Sequence, residues 1–414
     1  MTYFVMWRLV AVFFCFGFLA HARAEIPVHR FPDAPHHYWT RSPSDAFAQW
    51  LAKAKTAPGL FDVRDEKAQL SVLLKSLGIP DSSQLLVYSA TSFQSGLILP
   101  SNPRAIYFNE ESYVGFVPNG RLEVSSVDPV LGPVFYLVRT GTDGRLEASR
   151  SERCMNCHAG RASEGVPGFV AESVIATVSS GASLDGFRRE LTGHAIPLQD
   201  RLGGWHVSGA HEKGEHLGNL LGVGAGGGYT RLENLPGTRF DWNRYPVKTS
   251  DLFPHLLLEH QIGFHNLVTL GLYRTRDALE AGNGSVRNED RAALDEIAWR
   301  LVKYILFAQE AALPEGGVKP DPAFANAFLA RRRAGGSGAS LRDLDLGTKM
   351  FKYRCSYMVY TNGFASLPLE MKRRVFKGLS IALRDEGAPP DFAYLPVAEK
   401  RMIRTILKET GIPL

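Results

Sequence analysis

The apolar positions change rhythm along the chain. In "DAFAQWLAKAKT" (45–56) Phe47, Trp50, Leu51 and Ala54 share one helical face, and Ser44 stands where a cap belongs. "RDEKAQLSVLLKSLGIP" (64–80) repeats the helical period through Leu70, Leu73, Leu74 and Leu77, then stops at Gly78 and Pro80. From 84 to 147 the pattern shortens. "QLLVYSA", "RAIYFN", "SYVGFV", "RLEVSSV" and "PVFYLVRT" are rich in β-branched and aromatic residues, and "PNGR" (118–121) suits a tight hairpin turn. Several antiparallel strands are therefore predicted.

Between 151 and 250 glycines multiply and the period fades. "LLGVGAGGGYTR" (220–231) lacks the Gly-Lys-Ser/Thr ending of a phosphate loop and reads as a flexible or closely packed loop. After 250 the helical period returns. "SDLFPHLLLEHQIGFHNLVTLGLYRTRDALEAG" is one long candidate, and "NEDRAALDEIAWRLVKYILFAQEAALP", capped by Asn288 and closed by Pro314, is another. "RRRAGGSGAS" (331–340) looks like a linker whose arginines form a solvated helix end. Amphipathic helices follow in "LPLEMKRRVFKGLSIALRDEG" and "PVAEKRMIRTILKETG". The expectation is an α+β chain with helices then antiparallel strands over 25–148, a Gly-rich segment over 149–249 and an α-helical region over 250–414.

Composition is that of a globular protein: 414 residues, 45% hydrophobic and 21% charged. The formal net charge of +5 is small, and no basic tract suggests nucleic acid. The first residues change the picture. Arg8, an apolar run from Leu9 to Ala20 and Ala22-Arg23-Ala24 make residues 1–24 a signal peptide, with no span long enough for a membrane helix after its removal. The chain is thus expected to be exported, to the periplasm. Cys15 leaves with that segment. Cys154, Cys157 and Cys355 remain, too few for a disulfide framework.

"SERCMNCHAG" (151–160) carries the chemistry. Cys154-x-x-Cys157-His158 is the attachment pattern for haem c, in which two thiols tether the porphyrin and the adjoining imidazole ligates iron. A zinc site would need a second ligand pair, and a thioredoxin-like dithiol would need a βαβ unit; neither is legible. A plain disulfide leaves His158 without a role. One covalent haem and an export signal are mutually consistent, because thioether attachment takes place outside the cytoplasm. The segment 149–249 is then the haem-binding segment, with glycines permitting close approach to a flat cofactor.

At these residues the sequence resembles the c-type cytochromes. The following "HAGRASEGVPGF" is similar to the loop in which a proline carbonyl supports the proximal histidine, which implies that role for Pro167. "GGWHVSGAH", "LEHQIGFHN" and "CSYMVY" resemble segments of large exported single-haem bacterial proteins.

The sixth iron ligand stays open. His260, on a face with Leu256, Phe264 and Leu267, is one candidate; His211 and Met358 are others. His194, His206, His211 and His216 lie close in sequence. "HEKGEH", with His211, Glu212, Glu215 and His216, offers donors for a second metal but suits a solvated loop better. Cys355 is expected to be buried and inert. Three functions follow: a monohaem electron carrier with an unidentified redox partner, a haem oxidoreductase with an open or displaceable sixth site, or a haem-based ligand sensor.

Overall fold

A computed structural model describes residues 31–56, 65–140, 146–187, 193–225 and 228–414. Residues 1–24, the expected signal peptide, lie outside the described residues. The first helices are α1 (Ala46–Thr56) and α2 (Glu66–Ser76). The cap of α1 is Asp45 rather than Ser44: its Oδ1 accepts from the amides of Phe47 and Ala48, while Ser44 bonds Asp128 instead. Leu70, Leu73 and Leu74 of α2 are buried, as their spacing predicts.

An antiparallel sheet follows in simple order: β1 (Leu85–Val87), β2 (Arg104–Phe108), β3 (Ser112–Phe116), β4 (Leu122–Asp128), β5 (Gly132–Thr140) and β6 (Leu146–Ser149). Five of these were legible as short runs rich in β-branched and aromatic residues. The register places Ile106, Gly115, Glu123 and Leu137 side by side, and Tyr113, Ser125 and Phe135 in the adjacent row. Successive residues of a strand alternate faces, so these two rows share one face. The opposite face packs under α1, where the Phe47 and Tyr136 rings meet at 4.7 Å.

The middle of the chain differs from the expectation. A short turn, α3 (Met155–His158), leads into a second sheet ordered β10-β9-β7-β8, from β7 (Val174–Thr177), β8 (Ser183–Gly186), β9 (Leu220–Ala225) and β10 (Gly228–Glu233). "LLGVGAGGGYTR" is therefore a paired hairpin, not a loop. A Cβ at Gly222 would come within 2.5 Å of Leu184 Cδ1, so the glycine permits the strands to pack but hides their alternation.

The helical half comprises α4 (Leu252–Ala281), α5 (Asn288–Ile305), α6 (Pro322–Leu329), α7 (Asn362–Ala365), α8 (Leu369–Ala382) and α9 (Val397–Glu409). Helix α5 begins at Asn288, follows Arg287 at the cap position and ends at Ile305, well before Pro314. The 331–340 stretch is no free linker: Arg331 and Arg342 both pair with Glu110 of the first sheet's β2–β3 turn, and Arg332 pairs with Asp343. One hydrophobic core runs from Tyr38 to Leu407 through both halves. Among the described residues, no helix is long and apolar enough to cross a membrane.

Glu310 is a titratable group of this core's edge. Its Oε1 accepts from the Met350 amide at 2.9 Å, and burial pushes its carboxyl up to about 7. The folded state thus holds this proton more tightly than the unfolded chain. Its contribution to stability is complete below the ordinary carboxylate value and is lost as pH rises through about 7. Glu310→Gln is expected to leave stability nearly unchanged at pH 4 and to exceed the parent by about 2 kcal/mol at pH 8. Urea unfolding at both pH values checks this; an equal difference at both would refute it.

Candidate haem site

The Cys154-x-x-Cys157-His158 residues sit on one helical turn. A 3₁₀ turn (Glu152–Cys154) runs into α3, and i, i+3 spacing brings both cysteines to one side. Neither thiol is in a disulfide. Cys154 is half-buried, and burial followed by the nearby Glu123 charge pushes its thiol up; Cys157 is exposed.

The imidazole of His158 is held by its own loop. Nδ1–H donates to the Gly168 carbonyl at 2.9 Å, and the Gly168 amide returns a bond to the His158 carbonyl at 2.7 Å. The supporting carbonyl is that of Gly168, not Pro167: the reciprocal pair closes the turn one residue later. Asn266 of α4 clamps the next residue from both sides, accepting from Phe169 N at 2.8 Å and donating to Phe169 O at 2.9 Å. With its proton on Nδ1, the ring presents a lone pair at Nε2, which has no hydrogen-bond partner among the described residues. Burial pushes the imidazolium down to about 4, so the ring is neutral at neutral pH.

Cys154, Cys157 and His158 line one cavity of about 600 Å³. Its roof is the first sheet's inner face, with Ile106, Tyr113, Phe135 and Leu137; Leu258 and Ile262 of α4 and Trp205 close other sides. The Phe135 ring lies 4.0 Å from the His158 ring, and Phe169 packs against Tyr113 at 4.5 Å. Two charges are set into this apolar wall. Arg104 Nη1 meets Glu123 Oε2 at 2.8 Å, while Glu123 Oε1 accepts from Ser92 and Gln94. Burial alone would raise the Glu123 carboxyl; Arg104 and these donors outweigh it and hold it below its ordinary value. Arg104 Nε is buried without a partner. At the mouth, the Arg153 guanidinium lies 4.6 Å over the exposed Phe93 ring.

These features fit a haem. The volume lies within the range of about 300–1,000 Å³ typical of ligand pockets, and the wall is mostly apolar. Two cysteines and a histidine with an unpaired ring nitrogen line the same space. Arg153, at the mouth, offers a cation for a ligand's carboxylates.

The candidate sixth ligands are elsewhere. His260 points into the helical core, as its face predicted, but there Nδ1 bonds His194 Nδ1 at 2.8 Å and Nε2 bonds Ser356 Oγ at 2.8 Å. His211 Nε2 accepts from the Lys319 amide. Met358 is fully buried in the helical core. None of the three lines the cavity. A helical face shows which residues turn inward, not which neighbour they meet.

The other histidines do not gather either. His206 packs between Tyr88 and Phe240, and His216 uses both ring nitrogens on backbone groups of its own loop. No group of three metal-ligating side chains occurs among the described residues. Cys355 is buried, and burial raises its thiol far above the ordinary value, as expected of an inert cysteine. Arg104, Glu123, Phe135 and Gly168 were missed as site residues. The available signal was an arginine and a glutamate on otherwise apolar strands. Comparison with known protein families, curated proteins and solved structures finds no match for this chain.

Proposed function

We propose that this is an exported monohaem c-type protein that performs one-electron transfer. The observation that carries the reading is that Cys154, Cys157 and His158, whose Nδ1 is engaged by Gly168, line one mostly apolar cavity. The two thiols would hold the group by adding across its two vinyl substituents: each S–H bond is exchanged for a C–S bond, and the hydrogen goes to the neighbouring vinyl carbon. No oxidant is consumed. His158 would supply the axial nitrogen, kept neutral by burial and kept in orientation by Gly168. Bound haem would contribute a one-electron couple, set against the low-polarity wall of Phe135, Phe169 and Leu137. A redox partner would take or give the electron across the side where Cys157 is exposed.

Intact-mass measurement of the exported protein tests the reading. One haem mass per chain is expected to survive denaturation and acid–acetone extraction, with a thioether-type pyridine haemochrome spectrum. Cys157→Ala is expected to shift that spectrum towards a single thioether, and Cys154→Ala combined with Cys157→Ala to release all haem on extraction. Wild-type protein without covalent haem after export beside a haem-attachment system would refute it.

A further inference from the structure

We infer that a haem held in this cavity keeps its second axial position open for a small exogenous ligand, and that Arg104 favours anionic ones. The inference rests on the haem reading above and extends it from carrying electrons to binding a ligand at iron.

The cavity wall makes the case. Among the described residues that line the cavity, His158 is the only imidazole, and no methionine sulfur or lysine amine joins it. However a porphyrin were to lie, the described wall would supply one strong iron donor and not two. Of the lining groups that could serve as weaker ligands, Tyr113 and Glu123 are already committed and Glu172 is exposed to solvent. The Tyr113 hydroxyl donates to Gln261 Oε1 at 2.9 Å, so it is a protonated phenol. Both oxygens of Glu123 are occupied, by Arg104 on one side and by Ser92 and Gln94 on the other. Two histidines of α4 close in sequence to the lining residues Leu258 and Ile262 are tied by their own hydrogen bonds: His265 Nε2 bonds the Glu110 carbonyl, and His260 bonds His194 and Ser356. Reaching the cavity would require breaking these bonds in a packed core.

Arg104 gives the ligand preference. Its Nη1 is fixed by Glu123, yet its Nε, on the edge of the guanidinium that suits two-point binding of an anion, has no partner. An uncompensated buried donor is costly, and an anionic ligand in the same apolar space would satisfy it. The ligand class is therefore small molecules that coordinate iron: neutral diatomics such as carbon monoxide, with triatomic anions such as azide gaining from Arg104.

The experiment uses full-length holoprotein shown to carry thioether haem. Ferrous protein under carbon monoxide is expected to give a saturable Soret shift at one ligand per haem. Ferric protein is expected to bind azide, and the paired variant R104Q/E123Q, which removes both charges together, to lower the ratio of azide to carbon monoxide affinity about tenfold and azide affinity with it. Equal azide affinity in parent and variant would overturn the role of Arg104. Covalent haem with no change under either ligand would overturn the open site while leaving the haem reading intact. His29 lies outside the described residues; carbon monoxide binding gained only in His29→Ala would also overturn it, by identifying a sixth ligand. Absence of covalent haem overturns both readings.

Discussion

Glu110→Ala is expected to destabilise the protein by about 3–5 kcal/mol, because it strips the carboxylate from a buried guanidinium. Arg342 is 8% exposed and lies between the Phe328 and Tyr357 rings, each 4.5 Å from its guanidinium carbon. Glu110 compensates that charge and also pairs with Arg331. Removing Arg342 as well, by Glu110→Ala with Arg342→Met, is expected to recover most of the loss, since the penalty lies in the orphaned charge more than in the missing pair. The pH dependence follows from the carboxyl. Burial would raise it, but Arg342 and Arg331 outweigh burial and hold it below its ordinary value. Its contribution is therefore present above the ordinary carboxylate range and is lost as pH falls through the depressed folded value. Urea unfolding of parent and Glu110→Gln should show a gap at pH 7 that narrows towards pH 3. A gap independent of pH would sink the electrostatic account.

Gly168→Ala is the second large effect. A Cβ there would stand 2.5 Å from Ser163 Cβ and 2.7 Å from Asn266 Oδ1, closer than such contacts allow. Backbone must move, and the backbone in question carries the carbonyl that orients His158 and the amide that bonds back to it. Overpacking with partial loss of two hydrogen bonds is expected to cost about 2–4 kcal/mol. Ser163→Gly removes one of the clashing atoms, and the double variant should regain about 1 kcal/mol beyond additivity. Denaturant unfolding of the four-member cycle measures both figures. A loss below about 0.5 kcal/mol in Gly168→Ala would show that the loop gives way freely and does not fix the imidazole.

The first sheet was readable because its strands are short runs of β-branched and aromatic residues between turn residues, apolar on both faces: Ala105, Tyr107, Val114 and Phe116 are buried on one, while Ile106, Tyr113 and Phe135 face the cavity. The second sheet was not, since glycines at 222, 224 and 228 remove the side chains on which alternation depends. Helix α6 escaped notice although Asp321 caps it and Pro322 opens it, because it spans only Pro322–Leu329, too short to show a period. At the site, Cys154, Cys157 and His158 were legible because their chemistry is local to five residues. The wall around them was not. Arg104, Glu123 and Phe135 reach the cavity through strand pairing, and Leu258 and Ile262 through packing of α4, relations that no local spacing encodes. Helix α4 is also buried around most of its circumference, so an inward histidine on it can meet any of several neighbours.

The cavity's dependence on α4 has a consequence for the order of assembly. The sheet that roofs it is complete by Ser149, whereas α4 begins at Leu252, about a hundred residues later. A nascent chain, or one crossing a membrane from its N-terminus, presents Tyr113, Phe135 and Leu137 as a bare apolar face until α4 arrives. Such distant closure slows folding and leaves a surface prone to association. The same interval leaves the thiols of Cys154 and Cys157 reachable before the pocket closes over them. Fragments ending between the second sheet and α4 are therefore poor choices for isolating the site: they would carry the cysteines but expose the sheet.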